Sequence, residues 1–116
     1  MSNPKELALV VKAVKCGITG CCEWDDHESL RIRGDTNLQG LTPEYIRSLL
    51  IQFVQDGGII KQVRERRAQY RHRDYYYKAI VAEPGFKFGL FVEMELTDPD
   101  ADLPCVTILN AHHQSK

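Results

Sequence analysis

Between Thr42 and Asp56, apolar residues fall at Ile46, Leu49, Leu50, Phe53 and Val54. That is the i, i+3, i+4, i+7, i+8 spacing of one helical face. Thr42 supplies a cap, Pro43 a first-turn proline and Glu44 a charge suited to the positive end of the dipole, while Gly57-Gly58 ends the helix. After Gly58 the period falls to two. Ile59 to Arg66 reads as a strand, and residues 72–83 as a second with Tyr75, Tyr77, Ala79 and Val81 on one face. In the third, Phe86, Phe88, Leu90, Val92, Met94 and Leu96 alternate with Lys87, Gly89, Phe91, Glu93, Glu95 and Thr97. Glu83-Pro84-Gly85 joins the second and third as an antiparallel hairpin. The loop from Asp98 to Asp102 leads to a fourth strand, Cys105 to about Ala111.

The N-terminal half reads as helical. Asn3 as cap, Pro4 in the first turn and Glu6 three residues after the cap open a helix that Gly17 can stop. The run Leu7-Ala8-Leu9-Val10-Val11 also suits a strand, so both readings stand. Residues 18–24 read as a turn with a few extended positions. Asp25 and Glu28 form a second capping pattern, opening a helix over Asp26 to Arg33 with Gly34 as its stop, and residues 35–40 are loop in composition. The expected fold class is α+β: two or three N-terminal helices packed on one face of a roughly four-stranded antiparallel sheet. Residues 1–116 form one domain, with 25–111 as a helix–helix–sheet core and 1–24 as an N-terminal extension. The helix over 42–56 should cover the face carrying Phe88, Leu90, Val92 and Met94.

Composition changes this picture little. Hydrophobic residues make up 43% of the 116 and charged residues 27%, a globular balance. The start of the chain lacks a signal-peptide pattern, and the run from Leu7 to Val14 is broken by Lys12 and too short to cross a bilayer, so the expectation is a cytoplasmic protein with no membrane partner. Cys16, Cys21, Cys22 and Cys105 are then expected as reduced, buried thiols. Together with His27, His112 and His113 they lack the paired spacing of a zinc site, so neither metal nor cofactor is expected.

Charge is more informative. The net value of -1 hides a segregation. Residues 61–78 hold Lys61, Arg64, Arg66, Arg67, Arg71, Arg73 and Lys78 against Glu65 and Asp74, while residues 83–102 hold six acids against Lys87. Neighbouring strands explain this if arginines and lysines on the solvent face oppose Glu93 and Glu95, in cross-strand pairs worth roughly 0.2–1 kcal/mol each. The other explanation is an RNA-facing surface. Arg64, Arg66, Arg71 and Arg73 would grip phosphates while Tyr76, with Tyr70 and His72, stacks on unpaired bases. Three consecutive tyrosines must alternate, so Tyr75 and Tyr77 are expected in the core if Tyr76 is wet.

The segment His27-Glu28-Ser29-Leu30-Arg31-Ile32-Arg33-Gly34 resembles the H-x-x-x-R-x-R-G helix end of a group of small bacterial domains. A second helix, marked by Leu41-Thr42-Pro43-Glu44-Tyr45-Ile46, and a strand meander entered at Gly57-Gly58-Ile59-Ile60 extend the resemblance over about residues 25–111. The group looks like a branch of the barnase/EndoU/colicin/RelE superfamily, which includes ribonuclease toxins. The resemblance implies metal-independent RNA cleavage by attack of a ribose 2′-hydroxyl on the adjacent phosphorus. That reaction needs two proton-transfer groups and cations for the phosphoryl oxygens. His27 and His112 are the proton-transfer candidates, and Arg31 and Arg67 the cations, with Arg66, His72 and His113 in reserve.

Two further function classes stand beside this one. A non-catalytic interaction module would take a cognate protein or a second copy through its sheet or an exposed helix. A small-molecule binder would use a pocket between helices and sheet. No phosphate-binding glycine loop, H-E-x-x-H, G-x-S-x-G or DNA-binding motif is present in the sequence.

Overall fold

The computed structural model describes residues 2–18 and 20–113. The Asn3 side chain accepts from the Glu6 amide at 3.1 Å and starts helix α1 (Pro4–Cys16), which Gly17 closes in the left-handed region at φ 65°. The helical reading of this stretch is therefore the observed one. A short strand β1 (Cys22–Trp24) follows, then α2 (Asp26–Arg33), capped by Asp25 on the Glu28 amide. A 3-10 turn at Thr36–Leu38 interrupts the next loop. Helix α3 (Pro43–Gln55) begins on the Thr42 hydroxyl, and Ile46, Leu50 and Val54 are buried along it.

The strands are β2 (Lys61–Arg64), β3 (Tyr75–Glu83), β4 (Phe86–Asp98) and β5 (Cys105–His113). With β1 they form one sheet in the order β1-β5-β4-β3-β2. The expectation of four antiparallel strands needs correcting to five in a mixed sheet, because β1 runs parallel to β5, with Cys22 opposite Val106 and Trp24 opposite Ile108. Three residues carry no readable period, and β1 exists because β5 offers it an edge.

Strand β2 is shorter than the period suggests. Ile60 turns into the core instead of continuing the ladder, and residues 65–74 leave the sheet as a loop closed by the Glu65 amide on the Asp74 carbonyl at 2.8 Å.

One face of the sheet meets the helices. Tyr75, Tyr77, Ala79 and Val81 of β3, Leu90, Val92 and Met94 of β4, and Val106, Ile108 and Ala111 of β5 join Val10, Val14, Ile46 and Leu50 in a single core. Val10, Val14 and Cys22 are buried in it, so residues before 25 are part of the core. Full burial of a side chain such as Leu50 contributes about 1.5–3 kcal/mol.

Phe88 is the exception to the expected inner row, standing 45% exposed. Between the pairs Val81–Leu90 and Glu83–Phe86, β4 carries three residues against one on β3. Gly89 takes up the bulge at φ 89°, and Phe88 is turned outward.

Candidate functional site

Alternation leaves Tyr76, Lys78 and Ile80 of β3, Phe91, Glu93 and Glu95 of β4, and Asn110 and His112 of β5 on the face away from the helices. The loop 65–74 folds onto part of that face. Glu65 is its anchor: the side chain is 2% exposed and accepts from Arg67 Nε at 2.8 Å and from Arg73 Nη2 at 2.6 Å. Arg67 also donates to Glu93 at 2.8 Å, and Arg73 reaches Glu93 at 3.4 Å and Glu95 at 3.0 Å. His72 Nε2 lies 2.6 Å from Glu95.

Aromatic rings close the cluster. The Arg67 guanidinium sits 4.6 Å from the Tyr70 ring centre and 4.7 Å from that of Tyr76, and Arg73 lies 4.2 Å from Tyr70. Both guanidinium planes are thus held by carboxylates and by π faces. Burial pushes the Glu65 carboxyl up, but hydrogen bonds from Arg67 and Arg73 outweigh it and hold the group down at about 2. Arg67 is pushed up by its bonds to Glu65 and Glu93, so its charge is permanent.

The segregated charges therefore meet, though by a different route from direct strand opposition. Glu93 and Glu95 neutralise Arg67 and Arg73, which come back over the sheet on a loop. Arg64, Arg66 and Arg71 remain exposed, and Arg64 lies 5.6 Å from the ring of Tyr75. Tyr75 and Tyr77 are buried in the core and Tyr76 is on the outer face, as alternation requires. Burial pushes the Tyr77 hydroxyl up, and it donates to Glu6 at 2.7 Å.

The four residues implied by the family resemblance make different contacts, though Arg31, Arg67 and His112 all reach the outer face of the sheet. His27 is 89% exposed on α2, 3.6 Å from Glu28. Arg31 pairs with Glu28 at 3.0 Å and donates to Asn110 of β5. Arg67 belongs to the Glu65 cluster, and the His112 ring stacks on Phe91 with centres 4.4 Å apart. Arg31 and Arg67 flank one register pair, since Asn110 lies opposite Glu93. Among the described residues no hydrogen bond or ion pair joins His27 or His112 to another of the four.

The cysteines are free, and Cys16 is exposed and Cys105 half-buried, which corrects the expectation that all four are buried. Among the described residues no group of three or more potential metal ligands gathers. No helix among them is long and apolar enough to cross a membrane.

Residue periodicity passed over two features. Glu65 reads as a lone acid in a basic strip, and only its loop geometry makes it an anchor. The second is the edge of β3. Strand β2 pairs only with Tyr75 to Lys78, so no strand among the described residues lies along Ala79 to Glu83 on that side. Nothing in the sequence signals that gap; beside it the Phe53 ring rests where a Gly58 side chain would be, 2.6 Å from an added Cβ.

Comparison of the chain with protein-family models, with characterised proteins and with solved structures finds no match.

Proposed function

We propose that this protein is a non-catalytic interaction module that binds another protein. The observation that carries the reading is the locking of Arg67 and Arg73 by Glu65, Glu93 and Glu95. RNA cleavage of the kind implied by the resemblance needs cations free to meet phosphoryl oxygens and two proton-transfer groups facing one scissile bond. Here Arg31 and Arg67, the two cations the resemblance implies, already have carboxylate partners in Glu28 and in Glu65 and Glu93, and among the described residues no hydrogen bond or ion pair joins His27 to His112. A partner protein, by contrast, needs an exposed surface with unpaired backbone or apolar groups, and the edge of β3 offers both.

The test is incubation of the purified protein, and of a His27→Ala/Arg67→Ala variant, with long single-stranded RNA in EDTA. Intact RNA with both proteins is the expected result. Cleavage by the parent that the variant loses would overturn the reading in favour of a ribonuclease.

A further inference from the structure

The free edge of β3 has the features of a built groove. Ala79, Ile80, Val81 and Ala82 carry no charge, and alternate N–H and C=O groups along them point away from β4 with no strand among the described residues to meet them. Exposed edges are usually guarded by charged side chains along their length, and this one is not. On the helix side Leu49 and Phe53 of α3 form a wall, leaving an open depression of about 520 Å³ against Val81 and Ala82. The depression continues into a second of about 370 Å³ between Phe53, Ile59, Ile80, Lys61 and Lys78. Each is within the size range of small binding pockets. Ile59, 73% exposed, overhangs the junction.

The two ends of the groove differ. At one end Lys61 lies directly opposite Lys78 across β2 and β3. Like charges in that position repel. Neither lysine has an ion-pair partner among the described residues, although Lys78 faces Glu93 in register, because Glu93 is committed to Arg67 and Arg73. At the other end Glu83 carries a buried carboxylate oxygen with no hydrogen-bond partner among the described residues.

We propose that this groove captures the C-terminal segment of a partner protein as an added strand, a reading that rests on the interaction module and locates its site. The geometry of the groove selects that occupant. An extended segment satisfies the open backbone edge, and antiparallel pairing is the more stable arrangement. A guest antiparallel to β3 runs in line with β2 and meets its first residue, Lys61, head on, so the guest chain must end there. Its C-terminus therefore arrives at Lys61 and Lys78, where a free carboxylate supplies the missing counter-charge. With the last residue opposite Ile80, its side chain enters the pocket of Ile59 and Ile80. The preceding residue, opposite Val81, faces Leu49 and Phe53.

An array of random hexapeptides, synthesised with free C-termini and again as C-terminal amides, tests the assignment against the full-length protein. The expected ligands are apolar at the last two positions and lose at least about ten-fold in affinity on amidation. The Lys61→Gln/Lys78→Gln variant, checked for an unchanged circular-dichroism spectrum, should bind both forms equally. Backbone amide shifts should centre on Gly58 and Ala79 to Glu83. Binding insensitive to amidation, or no ligand at roughly millimolar concentration, overturns the groove assignment. Shifts centred on Phe91 and His112 also overturn it while leaving the interaction module standing. Concentration-dependent shifts of the same amides without peptide make the occupant a second copy and overturn the C-terminal segment. RNA cleavage by the parent overturns the module itself.

Discussion

Arg73 and Glu65 meet at 2.6 Å with side chains 7% and 2% exposed, and their pair fixes the loop 65–74 on the outer face of the sheet. Glu65 holds Arg67 as well, so one carboxylate anchors two guanidinium groups that would otherwise face solvent. Removing its charge leaves Arg73 buried with weaker compensation from Glu93 and Glu95. Glu65→Gln should therefore cost about 3 kcal/mol, the scale for breaking a buried pair. Arg33→Ala, which breaks an exposed pair with Glu44, should cost under about 1 kcal/mol. Urea denaturation of the two variants beside the parent measures both.

The same carboxylate sets an acid dependence. Its folded-state value of about 2 lies below the ordinary glutamate value of about 4.3. A depressed carboxyl stabilises the fold above the unfolded value and loses that stabilisation as pH falls through the folded one. Stability should thus decline between about pH 4.3 and pH 2, and Glu65→Gln should flatten that decline. Denaturation midpoints across this range decide it; an equal slope in parent and variant would show that other groups govern the acid limb.

Thiol accessibility offers an independent check on the core. Burial pushes the Cys22 thiol up to about 12, with Arg47 opposing only part of the effect. A raised thiol stabilises the fold below its unfolded value near 9.0 and loses that contribution as pH climbs toward 12. At pH 8 a disulfide reagent should modify exposed Cys16 rapidly, and Cys21 and Cys22 only after unfolding in guanidinium. Rapid modification of Cys22 in the folded protein would contradict its place in the core.

Gly58 maintains the groove wall. An added Cβ would lie 2.6 Å from three atoms of the Phe53 ring, so Gly58→Ala must swing that ring aside. The expected loss of stability is about 1 kcal/mol, because the half-buried ring has solvent to move into. Loss of hexapeptide binding should be much larger than that change in stability implies. Thermal melting and peptide titration of the same sample separate the two effects.

The helices were legible because each has a local cause. Asn3, Asp25 and Thr42 cap them as their spacing indicates, and Ile46, Leu50 and Val54 form the buried line that their period requires. The hairpin of β3 and β4 was equally readable from alternation. What escaped was set by tertiary partners. β1 depends on the edge of β5, Phe88 is turned out by a two-residue bulge, and β2 stops where Ile60 enters the core. At the site, sequence posed the meeting of acidic and basic segments but assigned it to neighbouring strands. Neither the loop that returns Arg67 and Arg73 to Glu93 nor the gap beside Ala79 has a periodic signature.

Whether Glu65, Glu93 and Glu95 hold Arg67 and Arg73 is read most directly from the arginine side chains themselves. The Nε–H resonances of Arg67 and Arg73 are recorded while single-stranded RNA is added at low salt in EDTA, and RNA length is read from the same samples. If Glu65, Glu93 and Glu95 hold these groups, both resonances stay in place and the RNA remains intact. Displacement of either resonance together with shortening of the RNA would show that the arginines are free to meet phosphate and that the protein cleaves RNA.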